Sequence, residues 1–305
     1  LLNPFERLKN HFVIAGEICM VKFILSGFAD EIDKDLDIQI RELRRNDINC
    51  LEIRGVNGKS VVEHTISEIK EIKKRLDDGG ISVSSVGSPI GKIGITDRFE
   101  PHLDLFMHTL EIAAILGSKY IRMFSFYIPE GRNPQDFRGE VLERWNKFVE
   151  TAKGTGIILA HENEKGIYGD NAERCVDIIR SMNCDYVRAV FDPANFIQCG
   201  VETYPKAYSL LKPYIEYMHI KDALPDTGTV VPAGMGSGKI KEILSDISAS
   251  SDREMYLSLE PHLGSFAGLE ALETDIDTGS MEKSGPEKFE IAVKALRKVM
   301  KEAGV

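Results

Sequence analysis

Eight short runs rich in Ile, Val, Leu, Phe and Tyr recur along the chain, each followed by a longer stretch with helical spacing. This alternation constrains the fold more than any other feature. The runs fall at Lys22–Gly27, Cys50–Arg54, Ser82–Gly87, Tyr120–Phe124, Gly156–His161, Arg188–Phe191, Tyr214–His219 and Met255–Leu259. Each ends near Gly, Asp, Asn or Pro, as buried parallel strands do. Helical patterns run from about Asp35 to Asn46, where Leu36, Ile38, Ile40 and Leu43 are apolar, and then over Val62–Asp78, Pro101–Gly117 and Arg138–Lys153. They continue over Ala172–Met182, Tyr204–Leu211, Ile240–Ser248 and Gly285–Glu302. Eight strands each followed by a helix predict an α/β chain folded as a single (β/α)₈ TIM barrel. A doubly wound open sheet is the competing arrangement, but it has fewer strands and a Gly-rich first turn. No linker or low-complexity segment divides the 305 residues.

Composition narrows the functional classes. No apolar run approaches the roughly 18 residues that span a bilayer. The formal net charge is −10, with no dense Lys/Arg cluster near the strand-end motifs considered below, which argues against nucleic acid as a partner. Cys19, Cys50, Cys175, Cys184 and Cys199 are odd in number and lack zinc-finger spacing, so they read as free thiols in a reducing cytoplasm. The GMGSG run from Gly234 to Gly238 precedes Lys239; it is weak as a phosphate-binding signal and better as a mobile turn.

Barrel active sites are built at the C-terminal strand ends. Those ends carry Ala29-Asp30-Glu31, Glu52-Ile53-Arg54, Gly87-Ser88-Pro89, His161-Glu162-Asn163-Glu164, Asp192-Pro193-Ala194-Asn195, His219-Ile220-Lys221-Asp222 and Glu260-Pro261-His262. Taken singly, Asp30 or Asp222 suits a helix cap equally well. Four consecutive strands ending in carboxylate, carboxylate, imidazole and carboxylate would converge on one opening, where a bound cation relieves their repulsion. Glu162, Asp192, His219 and Glu260 are therefore the expected ligands of one divalent cation. Three carboxylates and one imidazole favour Mn²⁺ first, with Mg²⁺, Co²⁺, Fe²⁺ or Zn²⁺ also compatible.

In this order and at these strand ends, GFADEI (Gly27–Ile32), LEIRG (Leu51–Gly55), HEN (His161–Asn163), FDPANF (Phe191–Phe196), MHIKD (Met218–Asp222) and LEPH (Leu259–His262) resemble the xylose isomerase-like TIM barrels. That superfamily contains sugar isomerases and epimerases, inosose dehydratases and endonuclease IV, and the resemblance covers Met20 to Glu302. It implies metal ligation by the same quartet and an acid–base pair of Glu162 and Glu260 on opposite faces of a chelated substrate. One glutamate would take a proton from carbon and the other return one, with the metal stabilising an enediolate.

The chain departs from the pattern at Asn195, where epimerases and endonuclease IV carry histidine. With seven histidines in all, it also lacks the set that a three-metal DNA-repair cluster needs. Glu162 and Glu164 are two residues apart, so both can face inward on an extended strand. Glu162 matches the family's Glu-Asn, leaving Glu164 as a second acid or base or an outer partner, with His161 pointing elsewhere. Lys221 and His262 follow His219 and Glu260 at the same two-residue interval and are candidate substrate contacts. Asn195 can bind a substrate hydroxyl, and Arg54 and Lys92 could meet a carboxylate or phosphate.

The expected activity is a metal-dependent isomerase or epimerase of a small sugar or polyol. The alternative is a lyase on the same scaffold, a keto-inositol dehydratase or an enzyme that eliminates from a 3-keto-glycoside. A non-catalytic sugar-binding protein is a third class, disfavoured by the acidic ligand set. Segments 88–97, 125–136 and 222–239 carry no signature that names the substrate. A homo-oligomer is common in the family, though no surface stripe here marks one. Residues 1–19 lack the periodicity of the rest, and Met20 is followed at once by the first strand, so they read as an extension outside the 20–305 barrel domain. Mass spectrometry of the native protein is expected to place the N-terminus at Met20; a start at Leu1 or earlier would contradict this.

Overall fold

The computed structural model describes residues 22–250, 253–263 and 285–305, so the proposed 1–19 extension lies outside the described residues. The apolar runs are strands β1 (Lys22–Gly27), β2 (Cys50–Ile53), β3 (Ser82–Gly87), β4 (Tyr120–Met123), β5 (Ile158–Glu162), β6 (Val187–Phe191), β7 (Ile215–Ile220) and β8 (Glu254–Leu259). They form one eight-stranded parallel sheet in the order β1-β8-β7-β6-β5-β4-β3-β2. Its two ends, β1 and β2, lie side by side, so the sheet curls into the expected (β/α)₈ barrel. Among the described residues no ladder of backbone hydrogen bonds joins β1 to β2, leaving a seam at that point.

The outer layer follows from local capping and amphipathic spacing. Helices α1 (Leu36–Arg45), α2 (Ile66–Asp78), α3 (Glu100–Leu116), α4 (Arg138–Ala152) and α5 (Ala172–Met182) bury one face each against the barrel. Then come α6 (Pro193–Gln198), α7 (Tyr208–Leu211), α8 (Ile240–Ser250) and α9 (Gly285–Ala303). The helix expected over Val62–Asp78 is split at Thr65, whose side chain accepts from Glu68 N while Glu68 reaches back to the Thr65 amide. That reciprocal pair starts a helix rather than continuing one. The short α6 was not anticipated, although Asp192 as cap followed by Pro193 is a start signal. Among the described residues no helix is long and apolar enough to cross a membrane.

Side chains alternate across each strand, so every second residue enters the barrel. Near its middle, the Ser26 and Ser84 hydroxyls are 2.6 Å apart and Ser84 meets the Tyr217 hydroxyl at 2.7 Å. Tyr217 stacks on Tyr256 at 5.4 Å and meets Tyr120 edge-on at 5.8 Å. Small serines thus make room for a tyrosine plug, and the next inward residues towards the C-terminal end are charged.

The loops at that end are tied together. Ser88 donates to the Arg122 carbonyl at 2.6 Å, Phe124 N to Ile90 O at 2.8 Å, and Ile95 N to Tyr127 O at 2.9 Å. Gly91 has φ +91°, and a Cβ there would overlap the Phe124 carbonyl, so only glycine lets the two loops meet. The Gly91 amide donates to His102 Nε2 at 2.7 Å.

That bond requires a neutral imidazole. Burial, with Arg144 nearby, lowers His102 from 6.5 to about 4. The unfolded chain therefore binds a proton that the native protein refuses between those values. Stability is full above pH 6.5 and falls as pH drops towards 4, by at most about 1.4 kcal/mol per pH unit. His102→Gln keeps an acceptor for the Gly91 amide but does not titrate. Denaturant unfolding at pH 7, 6 and 5 is expected to show a shallower loss in this variant; identical slopes would exclude His102 from the linkage.

Candidate metal centre

The inward residues at the ends of β2, β4, β5, β6, β7 and β8 form one connected polar cluster. Arg122 donates to Glu162 Oε2 at 3.0 Å, and Glu162 Oε1 lies 2.8 Å from His219 Nδ1. The other ring nitrogen of His219 is 3.1 Å from Glu52 Oε2. Lys221 Nζ stands 3.2 Å from Glu260 Oε2 and 3.3 Å from Asp192 Oδ2. Phe28 meets the His219 ring edge-on at 5.1 Å and closes the apolar side.

Glu162, Asp192, His219 and Glu260 are all buried and each offers a ligand atom within 4.8 Å of the others. Two further observations fit a cation. Asp192 uses one oxygen to cap α6, accepting from Asn195 N at 2.9 Å, while its buried Oδ2 accepts no hydrogen bond. A carboxylate at Nε2 of His219 fixes the tautomer that presents the Nδ1 lone pair to the cluster.

Charge balance points the same way. Asp30, Glu31, Glu52, Glu162, Glu164, Asp192 and Glu260 gather at this end of the barrel, faced by Arg54, Lys92, Arg122 and Lys221. Burial and Lys221 work against charge on His262, but Glu260 and Glu31 raise it to about 9, so it too is cationic at neutral pH. With every carboxylate ionised and His219 neutral, as a metal ligand must be, seven negative charges face five positive ones; a bound cation would answer that excess, and without one a proton on His219 answers part of it.

The same fields set the protonation states. Burial opposes ionisation of Glu162, yet His219 and Arg122 outweigh it and draw the carboxyl down to about 2. Burial is outweighed at Glu260 too, by Lys221 and His262, and its carboxyl stays well below the usual range. Asp192 goes the other way: burial lifts it to about 7, against Lys221 and with Glu162 and Glu260 adding to the rise. Burial disfavours a charged His219, but Glu162 and Glu52 carry it well above its ordinary value.

The remaining expected residues surround this core. Asn195 Nδ2 donates to Glu162 Oε1 at 3.2 Å and to Asn163 O at 2.9 Å, so it braces the β5 end. His262 Nε2 lies 3.2 Å from Glu260 Oε1. Glu164 stands outside the quartet, paired with Lys92 at 3.1 Å, and Lys92 sits over the Phe124 ring. Arg54 is engaged with Asp30, Glu31 and Glu260. His161 faces away, against Trp145, with Nε2 3.0 Å from Ser125 Oγ.

Asp222 caps no helix. Its carboxylate accepts from the amides of Ala223, Gly234, Gly236 and Gly238 at 2.7–3.0 Å. The GMGSG run is therefore a pinned loop rather than the mobile turn expected. Sequence reasoning missed Arg122 and placed Glu52 at a strand end without giving it a role in the site. Both lie inside their strands, and stepping back two residues from Phe124 and Arg54 is the signal that finds them.

Comparison with known proteins agrees with this architecture. Residues 40–303 match the family described as xylose isomerase-like TIM barrel. The chain is 23% identical over 208 residues to a 2-epi-5-epi-valiolone 7-phosphate 2-epimerase of an Actinoplanes species, covering 68% of this chain and 74% of that one. It superposes on the IOLI protein, solved with a zinc atom, with a TM-score of 0.70 at 15% identity over 92% of this chain and 99% of that one. D-psicose 3-epimerase, solved with D-fructose, gives a TM-score of 0.70 at 16% identity over 92% and 100% of the two chains. The probable 3-DHS dehydratase AsbF of Bacillus anthracis gives 0.67 at 14% identity over 90% and 98%. At these identities the superpositions speak for the fold, while the family match spans most of the sequence. The chain belongs to the xylose isomerase-like TIM barrel family.

Proposed function

We propose that the protein is a divalent-metal-dependent isomerase or epimerase of a small sugar or polyol, acting by proton transfer at a carbon next to a carbonyl. The observation that carries this is the buried quartet Glu162, Asp192, His219 and Glu260 with its ligand atoms turned towards one another. Three oxygens and one imidazole nitrogen favour Mn²⁺ among the divalent cations. Once bound, the cation supplies Lewis acidity to the substrate's oxygens.

Glu260 and Glu162 approach the cluster from β8 and β5, and both are held as carboxylates by neighbouring cations. In this reading Glu260 removes the proton from carbon and Glu162 serves the opposite face. Glu52 and Arg122 orient His219 and Glu162, and the tyrosine plug closes the barrel beneath them. Lys221, His262, Asn195, Glu164 and Lys92 form the wall that the substrate hydroxyls meet. The names of two relatives, a valiolone phosphate epimerase and a psicose epimerase, support the polyol class.

Asn195 favours a second reading. An amide stands where epimerases carry histidine, and it donates to Glu162 rather than offering a cation. A lyase needs the same proton abstraction and then expels water or an aglycone; the dehydratase with the same fold gives that chemistry a precedent on this scaffold. Product mass and solvent deuterium separate the two: an epimerase gains carbon-bound deuterium in D₂O and otherwise conserves mass, whereas a lyase product is lighter.

Two outcomes are expected with ketoses, inososes and keto-glycosides as substrates. Glu260→Gln should lose about 10²- to 10⁴-fold in kcat, the usual contribution of a general base, while keeping the wild-type circular dichroism. Retained turnover would remove Glu260 from the reaction. Exhaustive chelation should abolish turnover and lower the melting temperature, since a ligand of the native state stabilises it, and Mn²⁺ should restore both. Full activity in protein shown by elemental analysis to be metal-free would end the metal-dependent reading.

A further inference from the structure

We propose that Arg54 is a positioning residue that limits Glu260 to one oxygen, Oε2, on the metal-facing side. The proposal rests on the role given to Glu260 above. The two oxygens of that carboxylate keep separate company. Oε1 accepts from Arg54 Nη1 at 2.9 Å and lies 3.2 Å from His262 Nε2. Oε2 lies 3.2 Å from Lys221 Nζ and 3.4 Å from His219 Nδ1, inside the ligand cluster.

Arg54 is itself fixed from several sides. Its Nε and Nη2 grip the two oxygens of Asp30 at 2.8 and 3.1 Å, and Nη2 also lies 3.3 Å from Glu31 Oε1. The guanidinium packs over the Phe28 ring at 4.3 Å, and its side chain is only 11% exposed. Gly55 makes this approach available, because a Cβ there would press on the Asp30 carboxylate. Asp30 and Glu31 follow β1, Arg54 follows β2 and Glu260 follows β8. The fork therefore spans the seam where β1 and β2 share no backbone ladder. Across that seam the ends of β1 and β2 are joined by side chains rather than by a backbone ladder.

The chemistry follows from carboxylate denticity. A carboxylate with both oxygens free can bind a cation through both, and its plane can rotate. A charge-assisted bond to one oxygen stops that rotation and leaves the other as the single donor. A planar guanidinium grips both oxygens of Asp30 and still reaches Glu260 through a third nitrogen, a fixed fork that the single nitrogen of a lysine ammonium does not reproduce. Holding Oε1 also fixes the plane in which Glu260 addresses a substrate carbon, and errors of about 1 Å in such placement cost about 10²-fold in rate.

The test uses Arg54→Met, Arg54→Lys and Asp30→Asn in the full chain. The first readout is the visible d–d absorption of the Co²⁺-loaded protein, which weakens as coordination number rises and needs no substrate. Arg54→Met and Arg54→Lys are both expected to lower the band about twofold, as Glu260 turns bidentate. If either fails to fold, Asp30→Asn keeps the arginine, cuts its fork and should shift the band in the same direction. With an active substrate, kcat should fall about 10- to 100-fold, the usual cost of losing an outer-shell partner, while KM stays within about threefold. Unchanged Co²⁺ spectra in the folded variants would overturn the proposal. So would a loss confined to KM, which would make Arg54 a substrate contact. A wild-type protein inactive on every sugar tested would sink the proposed function and still leave the spectra to decide the role of Arg54.

Discussion

Carboxylates buried together repel, and the polar end of this barrel is organised around that repulsion. Two unit charges about 4 Å apart interact by about 4 kcal/mol in a protein-like dielectric, while a whole domain is stable by only about 5–15 kcal/mol. A few unanswered pairs would unfold the barrel. Each acidic side chain here accordingly meets a designated donor: Glu162 meets Arg122, Glu260 meets Arg54 and Lys221, and Glu164 meets Lys92. Asp192 and Glu52 each keep one buried oxygen back from hydrogen bonding. The placement of the strand ends, the loops and α6 can be read as the means of delivering those counter-charges.

The apolar half of the barrel makes this affordable. The hydroxyls of Ser26, Ser84 and Tyr217 bond in a chain, and the rings of Tyr120 and Tyr256 pack on Tyr217, so the plug beneath the site brings no charge of its own. Phe28 and Phe124 present ring faces to Arg54, Arg122 and Lys92, which adds a second attraction to the carboxylate that each cation already meets. The tied loops after β3 and β4 keep those rings in position.

Much of this was legible in the chain, for a simple reason. Apolar runs report strands, and the residue after an apolar run reports what a barrel places at its mouth, so the quartet on β5 to β8 could be picked out before any coordinates. Arg122 could not, because β4 ends in an aromatic and its charge lies two residues earlier, where it looks like an interruption of a hydrophobic strand. The bounds of strand five differ from those expected, since Gly156 and Ile157 precede the strand, which runs on to Glu162. Arg54 was identifiable as a charge at the mouth but not as one already engaged, since its partners Asp30 and Glu260 come from opposite ends of the sequence. Asp222 failed for the same reason: apart from that of Ala223, the amides that it binds begin twelve residues later, in a loop whose glycines suggested motion.

The Asp222 loop has a consequence for recognition. Converging backbone amides in a glycine-rich turn are the form in which many proteins receive phosphate oxygens. Here the chain binds its own anion, an internal ligand that travels with the loop and cannot diffuse away. That corner of the mouth is shaped before any substrate arrives, and it is closed to a foreign phosphate while Asp222 remains in it. If this barrel handles a phosphorylated sugar, as one relative's name implies for that relative, the phosphate must find its donors elsewhere around the rim.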